Sequence, residues 1–169
     1  TRPNAPVPYI LYSLMNKVAE LGGRDKANIY RVATSKAQDS VIAQANDGTD
    51  IVANLSLDEA TVYLKKWLDS IPGKLIPAQF TEQFKQFKPP YESSAAQSFV
   101  SNIPAPNQTV LKYMMGYLRD YSQNAAVTRM DVKAFSDVFG PKLVFDDDNQ
   151  NPIDFQKQQS SLIKALITD

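Results

Sequence analysis

Cysteine and histidine are both absent from this chain of 169 residues. Without cysteine there is no disulfide, no thiol nucleophile and no thiolate metal ligand. Without histidine, Ser-His-Asp chemistry, imidazole general bases and most zinc sites are excluded. Hydrolytic chemistry of the chain's own would have to rest on carboxylates, lysine, tyrosine or serine. The two absences favour a cytosolic binding domain over a self-contained hydrolase.

Net charge is lacking as well, because 18 basic side chains balance 18 acidic ones. Nothing overall therefore drives the chain toward nucleic acid or an anionic membrane. No apolar run approaches the ~20 residues that span a bilayer, and no signal-peptide pattern opens the chain. We expect a cytoplasmic, monomeric single domain over residues 1–169, whose residues 1–6 read either as an extended leader cut from a longer chain or as an artificial end.

Apolar residues recur with helical spacing along almost the whole chain, which predicts an all-α fold. The first helix ends at Gly22-Gly23, as helices followed by glycine do. Its apolar face comprises Val7, Ile10, Leu11, Leu14, Met15, Val18 and Leu21. Thr34 or Ser35 caps a second helix, which the turn Asn46-Asp47-Gly48 closes. Its apolar side includes Ala37, Val41 and Ile42.

The middle of the chain predicts two further helices. Ser56 and Glu59 form a capping box, so the third helix starts there and ends at Pro72-Gly73. Its buried stripe is Ala60, Leu64, Trp67, Leu68 and Ile71. A fourth helix covers residues 78–87 and turns three aromatic side chains inward: Phe80, Phe84 and Phe87. The β-like stretch at residues 51–55 is too short to make a sheet.

The remaining helices bring the predicted total to about seven to nine. After the break at Lys88-Pro89-Pro90, a Ser-rich connection holds a short helix, and a long helix starts at residues 104–107. The long helix buries Val110, Leu111, Met114, Leu118 and Tyr121. Thr128 with Asp131 caps the next helix, which Gly140-Pro141 terminates. Its inward residues are Val132, Phe135, Val138 and Phe139, and those of the last helix are Phe155, Leu162, Ile163, Leu166 and Ile167.

Two polar features are candidates for binding, and each has a simpler interpretation. The run Asp146-Asp147-Asp148-Asn149 offers calcium ligands but lacks the EF-hand spacing, its glycine and its closing glutamate, so a solvated loop is favoured. Lys65, Lys66, Lys85 and Lys88 could form a patch for lipid headgroups, but scattered solvated lysines are favoured. We therefore predict no metal site and no cofactor.

Arg31 lies in the break between the first two predicted helices, after the apolar residues Ile29 and Tyr30. If these two residues anchor the loop in the core, the guanidinium is presented rigidly to phosphate oxygens and keeps its charge. For a single loop arginine, an exposed surface pair would be the ordinary interpretation.

Five segments in order give the wider context for Arg31. They are Val7-Pro8-Tyr9-Ile10-Leu11, Asn28-Ile29-Tyr30-Arg31, the helix from Tyr63 through Pro72 with Leu75-Ile76-Pro77, Ile103-Pro104-Ala105-Pro106-Asn107, and Met130 through Leu143 with Phe139-Gly140-Pro141. Together they resemble the RhoGAP family over nearly the whole chain. The resemblance implies a helical domain that docks onto a small GTPase of the Rho/Rac class.

The resemblance also implies a mechanism. Arg31 matches the family's arginine finger, which is supplied in trans to the GTPase and is worth about 10³–10⁵ in hydrolysis rate. Lys65 matches a helix lysine that supports the finger loop and reaches toward the GTPase; a lysine extending along the helix flank is the alternative. GTP and magnesium would be bound by the partner. A membrane would be reached only indirectly, through the lipidated GTPase or other domains.

Four positions depart from the family pattern. Asp69 stands where the family has arginine, and Ala134 where it has an asparagine that contacts the GTPase. Lys142 replaces the asparagine that usually follows Gly-Pro. Asn28 replaces a glycine, although asparagine tolerates a left-handed backbone better than most residues. Retention of Arg31 predicts a GTPase activator, whereas Asp69 and Ala134 leave open a binding or scaffolding module of the same fold with little or no activating power.

Overall fold

The computed structural model describes residues 7–31, 52–86, 90, 92–145 and 152–168. Eight α-helices lie in these ranges: α1 Tyr9–Glu20, α2 Leu57–Ser70, α3 Thr81–Lys85, α4 Ser93–Val100, α5 Ala105–Ser122, α6 Ala125–Thr128, α7 Val132–Leu143 and α8 Pro152–Thr168. No β-strand forms within the described ranges, so the all-α prediction is confirmed. The leader, the predicted second helix, Phe87 and the Asp146–Asn149 run lie outside the described residues.

Helix α1 follows Pro8 and ends as its glycines predict. Leu21 occupies the C-cap and Gly22 adopts φ +78°, a left-handed conformation that favours glycine. Leu11, Leu14, Met15 and Val18 are buried along the inner face. Leu21 is 40% exposed, so its assignment to that face was wrong, because it lies beyond the last helical turn.

Helix α2 begins at the predicted capping box. The Ser56 side chain accepts a hydrogen bond from the Glu59 backbone, and the Glu59 carboxylate accepts one from the Ser56 backbone N–H at 2.8 Å. Four residues of the predicted stripe are buried: Ala60, Leu64, Trp67 and Leu68. Ile71 is half-buried just past the helix. The box therefore fixes the start of the helix that carries Lys65 and Asp69.

The predicted fourth helix is split in the structure. Ala78–Phe80 is a 3₁₀ turn, and α3 starts only at Thr81. Phe84 is fully buried as expected, whereas Phe80, at the junction, is only half-buried. The short helix of the Ser-rich connection is α4, and the long helix is α5, which buries all five residues assigned to it.

Two expectations about α7 were wrong. Asp131 is its N-cap and accepts the Ala134 N–H at 2.8 Å, while Thr128 belongs to the preceding short helix α6. Pro141 does not end α7, which continues to Leu143 with the proline in its last turn. The proline lacks only its own N–H, so α7 loses the single bond to the carbonyl of Asp137.

Helix α7 packs mainly on α8, and Gly140 allows the two helix backbones to approach each other closely. A Cβ added at Gly140 would come within 3.0 Å of the backbone of Gln159 and Ser160. The glycine therefore permits a close helix crossing rather than stopping the helix.

A parallel bridge beyond α2 completes the frame of the site. Ile76 N–H donates to Leu143 O at 2.9 Å, and Phe145 N–H donates to Ile76 O at 2.9 Å. The bridge ties the segment after α2 to the end of α7 and brings the C-terminal ends of the two helices together. In the described part of the chain, no helix combines the length and apolar character needed to cross a membrane.

Candidate functional site

The loop that presents Arg31 has an uncommon backbone. Asn28 and Tyr30 adopt φ +57° and +68°, values that residues other than glycine seldom take. Arg31 N–H donates to Asn28 O at 3.1 Å, and Asn28 N–H donates to Thr128 O at 2.7 Å. Each such residue costs of order 1–3 kcal/mol and persists only where surrounding contacts hold it. The loop is therefore held in shape by the rest of the fold.

Ile29 and Tyr30 anchor this loop in the core, as the sequence predicts. Their exposed fractions are 2% and 1%. The Tyr30 ring meets Phe135 and Phe139 edge-on, with centroids 6.3 and 5.2 Å away. Its hydroxyl is hydrogen-bonded to that of Tyr117 at 2.5 Å, and burial raises the pKa of Tyr30 far above its ordinary value. Arg31, the next residue, is exposed.

Lys65 lies beneath the same loop. Its ammonium donates a hydrogen bond to Tyr30 O at 2.7 Å, although the residue is only 4% exposed. Burial and the nearby Lys142 lower the pKa of Lys65 to about 8, with Asp69 acting in the opposite direction. The flank interpretation is wrong, because the side chain turns inward to the carbonyl immediately before Arg31.

Asp69 and Lys142, which the sequence analysis treated as separate departures, contact each other. Lys142 Nζ lies 2.7 Å from one oxygen of the Asp69 carboxylate, and Lys74 Nζ lies 3.1 Å from the other. The Asp69 side chain is 40% exposed, and those of the two lysines are 18–19% exposed. The negative charge at Asp69 is therefore neutralised within the chain, and the local excess of charge remains positive.

Ala134 and Arg31 line one surface groove of about 560 Å³. Its other residues are Ala125, Ala126, Arg129, Asp131, Lys133 and Asp137. Ala134 lies in the first turn of α7 and offers no polar side-chain atom to the groove. Arg129 was missed in the sequence analysis, although a charged residue in the break before Met130 is a signal that could have been followed.

The predicted site residues thus fall into two connected groups. Arg31, Asn28 and Ala134 belong to the Arg31 loop and the groove beside it, and Lys65 connects this group to the pair Asp69–Lys142 at the ends of α2 and α7. Among the described residues, no cluster of three or more potential metal-ligating side chains occurs. The arrangement offers cationic side chains on a constrained backbone to an anion.

Comparison with known proteins places this arrangement in a family. The sequence model of the RhoGAP domain matches residues 8–148. Rho GTPase-activating protein gacA of Dictyostelium discoideum is 24% identical over 148 residues, which are 88% of this chain and 43% of that protein. The chain spans less than half the length of the curated relatives it matches.

Solved structures agree in fold. The crystal structure of human Rho GTPase activating protein 15 has a TM-score of 0.83 at 23% identity, with 99% of this chain and 83% of that chain covered. That of the BH domain of GRAF, the GTPase regulator associated with focal adhesion kinase, has a TM-score of 0.75 at 26% identity. The latter match covers 95% of this chain and 92% of that one.

Proposed function

The chain belongs to the RhoGAP domain family, and we propose that it binds a Rho/Rac-class small GTPase in its GTP state and accelerates hydrolysis by inserting Arg31 in trans. Its relatives are named as Rho GTPase-activating proteins. The proposed partner implies a cytoplasmic setting, and the nucleotide and its magnesium ion would belong to the GTPase.

The observation that carries the proposal is the way Arg31 is held. The residue is exposed, yet its neighbour Tyr30 is buried among aromatic rings and bonded to Lys65 through its carbonyl oxygen. A guanidinium on a fixed base enters the partner's site with little further ordering, so its interaction energy is available to the transition state. In phosphoryl transfer, such an arginine offsets the negative charge on the transferred group and is worth about 10³–10⁵ in rate.

The remaining site residues support this role. Asn28 supplies the left-handed turn that begins the loop, and Lys65 braces the carbonyl before Arg31. Asp69, Lys142 and Ala134 would face the docked GTPase. Since Asp69 is neutralised by two lysines, it presents less free negative charge to the partner than its sequence position alone indicates.

The second candidate function is a GTPase-binding or scaffolding module with little or no activating power. Ala134 favours it, because no polar side chain stands at this groove position to meet the nucleotide or the partner's catalytic residues. Both candidates predict binding of the GTP-loaded partner, so GTP turnover is the property that separates them.

Single-turnover GTP hydrolysis by a panel of Rho- and Rac-class GTPases tests the proposal. The domain should stimulate at least one of them, and Arg31→Ala should abolish stimulation while largely preserving binding, because the finger acts mainly in the transition state. Lys164→Ala, which removes an exposed charge from α8, is the control and should match the parent. Equal stimulation by the Arg31→Ala variant and the parent would refute the finger, and binding without stimulation by the parent would favour the module.

A further inference from the structure

We propose that Arg129 is a second anion-binding arginine of the groove beside Arg31, and that it docks onto a carboxylate of the GTPase before hydrolysis. The inference rests on the proposed function and names the chemistry of the partner's surface. Arg31 and Arg129 line the same groove, on the loop after α1 and the break between α6 and α7. Arg129 would act in ground-state binding, whereas Arg31 acts in the transition state.

The two arginine-bearing segments are joined by one backbone hydrogen bond and by one hydrogen bond from a side chain to the backbone. Thr128, the residue before Arg129, accepts the Asn28 N–H at 2.7 Å and is fully buried. Asn124 Nδ2, at the start of α6, donates to Arg24 O at 2.6 Å. Arg129 is therefore set in place relative to the finger loop, not merely near it.

The backbone of Arg129 carries a further sign of constraint. It adopts φ +56°, a left-handed conformation uncommon for a residue other than glycine. Its N–H is bonded to Ala125 O at 2.9 Å, so the conformation closes helix α6. A glycine or asparagine would fit this C-terminal position with less strain. The residue at this position is an exposed arginine.

The other charges of the groove are engaged within the chain. Lys133 Nζ lies 2.7 Å from the Asp137 carboxylate, which raises the pKa of that lysine. The Asp131 carboxylate caps α7. Within the described ranges, the guanidiniums of Arg31 and Arg129 have no hydrogen-bonding or ion-pair partner. Among the described residues of the groove, three basic side chains face two acidic ones, so one net positive charge and two unpaired guanidiniums remain for whatever binds there.

A carboxylate fits Arg129 better than a second phosphate contact does. A guanidinium binds either a carboxylate or a phosphate through two parallel hydrogen bonds, so the charges around Arg129 decide between them. The carboxylates of Asp131 and Asp137 line the same groove and would repel a polyphosphate more strongly than a single negative charge. An acidic side chain of the GTPase surface is thus the complementary ligand.

The test separates affinity from turnover. The dissociation constant for a GTPase loaded with a non-hydrolysable GTP analogue, and the single-turnover rate at saturating domain, are measured for the parent, Arg129→Gln and Arg129→Lys. Lys164→Gln is the control, because it removes an exposed charge from α8, outside the groove. Thermal unfolding confirms that each variant is folded.

Arg129→Gln should weaken binding about tenfold, the effect expected for loss of a charge-assisted hydrogen-bonded pair, while the saturated rate stays within about twofold of the parent. Arg129→Lys should recover part of the affinity, and Lys164→Gln should leave the affinity of the parent unchanged. An unchanged dissociation constant for Arg129→Gln overturns the inference, as does a fall in the saturated rate alone, which would indicate a phosphate contact. If the parent domain binds a GTPase without stimulating hydrolysis, the proposed activation is wrong, and the effect of Arg129 on affinity is still measured. If the parent domain binds no GTPase of the panel, both the proposed function and the role of Arg129 are overturned.

Discussion

Replacement of Lys65 by methionine should change how the stability of the domain depends on pH. Lys65 is 4% exposed, and its pKa is lowered from 10.5 to about 8, mainly because burial disfavours the charged form. The unfolded chain therefore keeps this proton up to a higher pH than the folded protein does. Between pH 8 and 10.5 the unfolded state binds more protons, so the free energy of unfolding rises with pH through this group.

The size of the effect follows from the two pKa values. From pH 7 to pH 9.5, Lys65 should contribute about 2 kcal/mol of added stability to the parent, and nothing to Lys65→Met. Burial raises the pKa values of Tyr30 and Tyr117, which lowers stability near and above pH 10, but these contributions cancel in the difference between parent and variant. Since cysteine and histidine are absent, no thiol or imidazole titrates in this window.

Chemical denaturation at several pH values between 7 and 9.5 measures the difference directly. Lys112→Met, at an exposed position on α5, is the control and should keep the pH dependence of the parent. A constant offset between parent and Lys65→Met would reflect packing alone. If the difference in unfolding free energy between the two proteins changes by less than about 0.5 kcal/mol over this pH range, the burial of a charged Lys65 under the Tyr30 carbonyl is refuted.

Two further predictions concern stability. Trp67→Ala should destabilise the fold by about 3–5 kcal/mol in chemical denaturation, because Trp67 is 8% exposed within the core; a loss below about 1 kcal/mol would mean that this face of α2 is not buried. A double-mutant cycle of Asp69→Asn and Lys142→Met should give a coupling energy of about 0.5–1 kcal/mol, since the pair is partly exposed, and a value of zero would show that the ion pair does not form in solution. Asp69→Asn should also lower the pKa of Lys65 further, because the Asp69 carboxylate favours the charged form of that lysine. The pH dependence of stability is then compared between Asp69→Asn and the double variant Asp69→Asn/Lys65→Met. A titration midpoint for Lys65 equal to that in the parent would contradict this prediction.

Local pattern was enough to predict most of the described helices and the anchored arginine loop. The capping box at Ser56 and Glu59, the glycine stop after α1 and the buried stripes of α2 and α5 all formed as expected. These features depend on residues within one or two turns of each other, so periodicity and capping chemistry reveal them. The family resemblance, confirmed by the match over residues 8–148, rests on the same ordered local motifs.

Local pattern failed where a residue's partner lies elsewhere in the fold. Thr128 was assigned to a helix cap, but its carbonyl oxygen accepts the Asn28 N–H and so holds the Arg31 loop. Gly140 was interpreted as a helix stop, but it allows the close approach of α8. Both errors have the same cause, because threonine and glycine each occur at helix ends and also at positions fixed by a distant contact.

The sequence by itself determined the helical class, the domain's family and the position of Arg31 after two apolar anchors, because these follow from spacing along the chain. Only the tertiary structure decided what surrounds Arg31. It placed Lys65 under the Tyr30 carbonyl, brought Lys142 to Asp69 across 73 residues of sequence, and set Arg129 beside the Arg31 loop. Charges act through distance and burial, and both are fixed only when the helices pack.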